Sequence, residues 1–358
     1  MNQSSIETGL NRLQDQLSSR GTARKVIETL VFIALYAVGL IGNFLVLFIV
    51  NKKRKEGKMI YLFIGALAIS DIFLLTSFAV FSSPAIVLGK WPFPEIVCQL
   101  HGFCIIYLGT ASLLLMAITA LNRYFRVLGT KYYHRLFTTK RTILLILGAW
   151  VFATITPIQY LSSGERYIFN PGKCICFMRH KVKASSLYGY VIVFIPIFVI
   201  IVCYYKIFKL ARSHQVSFQQ NSKGIGGPSI HDINITRTLF LTVVGCLCCW
   251  TPVLIIDIID FVQGEFSLPR EAYYFYSCVG SSSSVINPFI YGALNPMFRE
   301  EYKRIMPCGY RNTEVQHMAT VPKLVFPSRH IKNADLRNGP NEVEFIHLRY
   351  IACKDGTM

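Results

Sequence analysis

Four short stretches put polar or helix-breaking residues inside, or at the rim of, otherwise apolar sequence, and their chemistry is charge control rather than bond making. Arg123, in Asn122-Arg-Tyr124, closes a run from Ile96 to Leu121 that holds no charged residue. An arginine there either snorkels to lipid headgroups, its commonest use, or is held ready for something that docks on the inner side. Asp71, in Leu67-Ala-Ile-Ser-Asp71, sits in mid-run, where a carboxylate is costly unless it holds a cation or a proton. Cys249-Trp-Thr-Pro252 and Asn287-Pro-Phe-Ile-Tyr291 each place a proline inside a run, which removes a backbone hydrogen bond and makes a hinge. Trp250 stands beside the first hinge, as a lever would. No Ser/His/Asp set, metal-ligand spacing or phosphate loop accompanies these residues, so an enzyme is not expected.

The elements that must position them are membrane helices. Of the 358 residues 53% are hydrophobic and 16% charged, with mean hydropathy +0.42, against about 25% charged in soluble domains. Seven apolar runs recur: Leu30–Val50, Met59–Val87, Ile96–Leu121, Thr142–Ser162, Ala184–Tyr205, Thr238–Ile256 and Ala272–Leu294. Each can cross a bilayer, and in lipid only a helix satisfies its own backbone. The fold class is therefore all-α, a seven-transmembrane helix bundle. Met297, Phe298, Tyr302, Ile305 and Met306 share one face of a following stretch whose other face is charged, which predicts a short amphipathic eighth helix in the interface. The parts are a polar, flexible tail (1–25), the helical body (26–306) and a disordered tail (307–358).

The net charge of +18 falls on alternate loops. Lys52, Lys53, Arg54, Lys55 and Lys58 fill the first; Arg126, Lys131, Arg135, Lys140 and Arg141 fill the third; Lys206, Lys209 and Arg212 lead into the fifth. That bias puts those loops in the cytoplasm and the N-terminus outside, as a multi-pass plasma-membrane protein surrounded by lipid. It excludes nucleic acid as the reason for the charge. One outer loop, Ser163 to Lys183, breaks the rule with Arg166, Lys173, Arg179, Lys181 and Lys183 against Glu165. It is either a solvated basic loop or a lure for an anionic ligand.

Cys98, at the outer end of the third run, can bridge to the outer loop, which offers Cys174 and Cys176. Asn2 heads a glycosylation sequon and Cys308 is a palmitoylation candidate. No cleavable leader is expected, since the first apolar run begins near residue 26 and is too long for one.

In their order and joint spacing, Gly42-Asn43, Leu67-Ala-Ile-Ser-Asp71, Cys98, Asn122-Arg-Tyr124, Trp150, Pro196 with Tyr204, Cys249-Trp-Thr-Pro252 and Asn287-Pro-x-x-Tyr291 resemble a rhodopsin-family G-protein-coupled receptor. The resemblance implies that Arg123, with Asn122, Tyr124, Tyr204 and Tyr291, meets a heterotrimeric G protein, with Asp232 as the arginine's resting partner. Arrestin and receptor kinases are the other implied partners. It also implies that Asp71, Ser112, Ser284 and Asn287 hold an allosteric sodium ion, with no other cofactor. Asn122 replaces the more usual Asp, and Cys246 stands where a Phe usually packs. Within the family the chain is similar to melatonin receptors at Asn122-Arg-Tyr124 and over Tyr291 to Ile305, although Asn287-Pro288 departs from their Asn-Ala. The 22 residues from Cys174 to Pro196 also fit them, which implies a Cys98–Cys174 bridge.

The implied ligand pocket comprises Ile105, Gly109, Tyr188, Trp250, Leu254, Tyr274 and Ser277, a neutral lining that suits a small neutral or acidic extracellular ligand. Asp257 and Asp260 are expected to be solvated above it. A light sensor would need a lysine at Ser281, and an aminergic receptor an acid at Ile105; neither is present. A transporter would carry more charge or internal repeats within its spans. A peptide or chemoattractant-type receptor remains the rival that the basic outer loop would suit.

Overall fold

The computed structural model describes residues 3–53, 57–128, 130–178, 192, 194–210 and 230–305. In chain order the helices are α1 (Gln3–Ser18), α2 (Thr22–Lys53), α3 (Ile60–Ser77), α4 (Ser83–Leu88), α5 (Glu95–Val127), α6 (Thr130–Leu136), α7 (Thr139–Ala153) and α8 (Ile155–Ser162). A hairpin of β1 (Ile168–Asn170) and β2 (Ile175–Phe177) follows. Then come α9 (194–210), α10 (Ile230–Gln263), α11 (Arg270–Leu294) and α12 (Pro296–Ile305). Five of the described helical stretches are long and apolar enough to cross a membrane: Thr22–Lys53, Ile60–Leu88, Glu95–Val127, Thr139–Ser162 and Ile235–Gln263.

The bundle is packed inside out relative to a soluble domain. Phe44, Val151 and Val262 are 56%, 70% and 74% exposed on its outer surface, while Asn43, Asp71, His101, Ser281 and Asn287 are buried. Lipid solvates the first set at no cost, and the second must find partners within the protein. α3 runs through the middle and is buried on most of its faces. It continues into α4 through a π turn at Phe78–Ser82, where the Ser83 N–H donates five residues back to Phe78. Pro84 is the cause: it brings no N–H to the carbonyl four residues back, so the ladder slips by one. Gly42 lets α2 meet α11 closely, because a Cβ there would lie 2.9 Å from Pro288.

Three expectations change. Within the tail expected to be flexible, residues 3–18 form α1, with Leu13 and Leu17 fully buried. Ile6, Leu10, Leu13 and Leu17 make a helical stripe of i, i+4, i+7 and i+11; the first three pack with Val253, Phe266 and Tyr273, and Leu17 packs with Phe32 and Tyr36, which holds α1 down. Arg12 donates to the carbonyls of Phe266 (2.5 Å) and Leu268 (3.1 Å), and Gln14 to that of Gly89 (2.8 Å). The eighth helix exists as α12, but its charged face is not all solvated. Glu301 is buried and accepts from Lys52 at 2.6 Å, tying α12 to the inner end of α2. Finally, the bridge is Cys98–Cys176, not Cys98–Cys174. Two residues apart on a strand would share a face, but Cys174 takes a left-handed φ of 54° and turns away.

Candidate signalling core and ligand mouth

At the inner end α5 delivers Asn122 and Arg123 to the bundle interior, 0% and 3% exposed. The guanidinium donates to Asn122 Oδ1 from Nη2 at 2.7 Å and from Nε at 3.2 Å. Asn122 thus keeps the geometric restraint of a carboxylate while lacking its charge. Snorkelling is overturned, since a snorkelling head would lie in water. Asp232 falls in the first turns of α10, and its side chain lies outside the described residues. Tyr204 packs edge-on to Phe240 with centroids 5.3 Å apart, and Tyr291 stacks on Phe298 at 5.3 Å. Both tyrosines line one cavity of about 10 Å³ with Met116, Thr119, Leu239 and Thr242. Tyr124 is half-buried, with Lys206 over its ring at 5.6 Å.

One level deeper, Asn287 Nδ2 donates to Asp71 Oδ2 at 2.9 Å. Asn287 Oδ1 and Ser112 Oγ are buried and have no hydrogen-bond partner among the described residues. Ser284 is buried one turn before Asn287, and its carbonyl accepts from Asn43 Nδ2 at 2.9 Å. The Asp71 carboxylate, with the orphaned Oδ1 of the Asn287 amide that it binds, supplies hard oxygen donors of the kind that fit a monovalent cation such as sodium. Among the described residues no group of three His, Cys, Asp or Glu could hold a metal ion of another kind. Trp150 is a packing residue with a polar tip, donating to Ser70 Oγ at 3.0 Å.

The outer mouth is filled by the chain itself. Asn170 Oδ1 accepts from the N–H groups of Gly172 (2.9 Å) and Lys173 (3.0 Å), folding the hairpin tip into a tight turn. Only glycine fits at 172, because a Cβ would lie 2.7 Å from the Tyr273 side chain. The turn drives Lys173 inward, where it is 2% exposed and its Nζ lies 3.1 Å from Asp257 Oδ1. Ser277 donates to the Lys173 carbonyl at 2.6 Å. Behind the turn, the Cys176 N–H donates to His101 Nδ1 at 3.4 Å and Cys174 packs toward Leu17, Phe32 and Tyr36. Over the other side Glu28 accepts from Arg20 (2.6 Å), Arg24 (3.0 Å) and the buried Arg270.

A family model described as "7 transmembrane receptor (rhodopsin family)" matches residues 42–291. The chain belongs to the rhodopsin family of seven-transmembrane receptors. It is similar to the histamine H2 receptor of Homo sapiens, 26% identical over 302 residues covering 81% of this chain and 82% of that receptor. It is likewise similar to the 5-hydroxytryptamine receptor 4 of Cavia porcellus, 25% identical over 332 residues covering 84% and 85%. Its fold matches squid rhodopsin with a TM-score of 0.71 at 19% identity, covering 80% of this chain and 87% of that one. A rhodopsin-family receptor is a multi-pass plasma-membrane protein that couples to heterotrimeric G proteins, and is not an enzyme.

The receptor's predicted pocket comes together only in part. Ile105 is buried, Trp250 is partly buried against Val253 and Tyr276, and Gly109 has open space around it. Leu254 is 52% exposed on the outer surface of α10 and does not line the interior. Tyr274 turns toward α2, donating to the Glu28 carbonyl at 3.0 Å, and Ser277 is engaged by the loop. Asp260 is not solvated either: it is buried and accepts from Tyr273 and from Ser267 at 3.4 Å. Asn2, Tyr188, Arg179, Lys181, Lys183 and Cys308 lie outside the described residues. Sequence reasoning counted Lys173 only among the basic residues of the outer loop and missed Tyr276, Glu28 and Arg270. The signal for the last two was a charged residue at each of two span ends, which a window for apolar runs discards.

Proposed function

We propose that this receptor answers a compact, neutral or acidic ligand arriving from outside, and not an amine held by the third membrane helix. The observation that carries the reading is the pairing of Asp257 with Lys173. The relatives are named for histamine and 5-hydroxytryptamine, both amines, and an amine needs an anionic counterpart. Ile105, where the third helix would supply one, is apolar and packs with Leu74, Phe78 and Leu108. The acid at the mouth already has a cation. Melatonin-receptor-like character belongs to this reading as a neutral-ligand scaffold, supported by Asn122-Arg-Tyr124 and by Tyr291 to Ile305.

In the same reading the N-terminus is extracellular, since Lys52, Lys53 and Arg135 mark the opposite side as cytoplasmic. Ligand binding is passed down past Trp250 and the Pro252 hinge to Arg123, which meets the G protein. Asp232 restrains Arg123 at rest, and sodium at Asp71 biases the bundle toward rest. Arrestin, receptor kinases and lipid contacts at α12 complete the partner set. The test is nucleotide exchange on purified G protein by receptor membranes, challenged with neutral, acidic and cationic small molecules. Activation confined to neutral or acidic compounds is expected. Potent activation by a simple amine that is lost in Asp257→Asn would overturn it.

A further inference from the structure

The surroundings of Lys173 have the chemistry of an organic-ammonium binding site. Its Nζ lies 3.6 Å from the centre of the Tyr276 ring, 5.0 Å from that of Phe177 and 5.8 Å from that of Tyr273. A carboxylate oxygen of Asp257 sits 3.1 Å away, and the other oxygen accepts from the Tyr276 hydroxyl at 3.2 Å. Ring faces around a cation with one counter-charge are how proteins recognise alkylammonium groups. A buried lysine is tolerated only where such partners repay its desolvation. The lysine reaches the cage from a rigid turn, fixed by the Asn170 cap, by Gly172 against Tyr273 and by the Cys98–Cys176 bridge three residues on.

We propose that Asp257, Tyr276, Tyr273 and Phe177 form an ammonium-recognition subsite whose resident occupant is the outer loop's own Lys173. The wild-type receptor is therefore closed to external amines at this position, and shortening the lysine creates a site for a primary alkylammonium of the same length. The inference stands apart from the identity of the receptor's ligand and from signalling, because its readout is binding to the purified chain. An ordinary loop-to-helix ion pair would make the same loss of stability on mutation, but it would not create a site selective for a free amine.

The probe is n-butylammonium, the four-carbon stem and head of the lost side chain. Thermal unfolding of the full-length receptor in detergent should fall for Lys173→Ala. n-Butylammonium chloride should then raise it by about 3 °C or more at saturating concentration. n-Butanol and sodium chloride at matched concentrations should not, the wild type should not respond, and Lys173→Ala with Asp257→Asn should lose the response. Should Lys173→Ala yield too little folded receptor, Lys173→Met, Asp257→Asn and their combination give a thermal double-mutant cycle. The combination should lie well above the sum of the single losses. Equal rescue by n-butanol, a response of the wild type as large as that of the variant, or additive losses in the cycle would each overturn the proposal.

Discussion

Cys98 is joined to Cys176, and Cys174, two residues earlier, faces the opposite way into the apolar cluster under α1. The bridge closes a separation of 78 residues, which contributes about 4–5 kcal/mol in the loop-entropy picture. Cys98→Ala and Cys176→Ala should therefore fail alike at the cell surface, while Cys174→Ala should be expressed. Burial pushes the Cys174 thiol up to about 12, so it stays protonated and inert at pH 8. Mass mapping after alkylation of the native receptor should find Cys174 unmodified. A peptide pair joining Cys98 to Cys174 would contradict this register.

Arg123 and Asn122 give a second expectation. Arg123→Ala should abolish G-protein activation at normal surface level, because the buried guanidinium near the end of α5 is gone. Asn122→Asp adds a charge to a bond already formed at 2.7 Å and should lower basal signalling by several-fold. Asp232→Ala should raise it. The check is agonist-free nucleotide exchange normalised to surface receptor; a higher basal rate in Asn122→Asp would show that the pair does not restrain.

For Asp71, agonist affinity should weaken as sodium replaces potassium at constant ionic strength, since cation and agonist compete through one conformational equilibrium. Asp71→Asn and Asn287→Ala should each flatten that dependence. Ser112→Ala should do so in part, as it removes one of the two orphaned oxygens. Sodium-independent affinity in the unmutated receptor would leave Asp71 as a protonated structural group.

Leu13 and Leu17 hold α1 in place. Leu13→Ala should cost the docked helix about 2–5 kcal/mol, and Leu13→Asp should release it. Limited proteolysis read at Arg12 and Arg20 should speed up at least tenfold in Leu13→Asp, while cleavage elsewhere in the chain stays constant. Unchanged protection would mean that the Arg12 and Gln14 contacts suffice.

The spans were legible because lipid admits few solutions: twenty apolar residues in a row can hardly be anything but a crossing helix. The motifs at Asp71, Arg123 and Asn287 were legible because each is a polar residue in a place that tolerates none without cause. α1 was written in Ile6, Leu10, Leu13 and Leu17 but is diluted by twelve other residues, and its helix is held by tertiary contacts that no local pattern reports. Lys173 and Asp257 lie 84 residues apart, and each read alone as a solvated charge. The bridge was misplaced because counting residues to Pro196 ignored the left-handed φ at Cys174, which only the folded turn imposes.

The docking of α1 over the mouth separates how fast a ligand associates from how tightly it is finally held. A ligand that enters between α1 and the ends of α10 and α11 would have to wait for the strap of residues 3–18 to lift, and its association rate would then scale with the fraction of time they are undocked. Once the strap has closed again, the same contacts of Leu13, Leu17 and Arg12 oppose escape. For a ligand that enters on this side, slow onset and long residence are the expected outcome, a signal that would integrate exposure rather than follow its fluctuations.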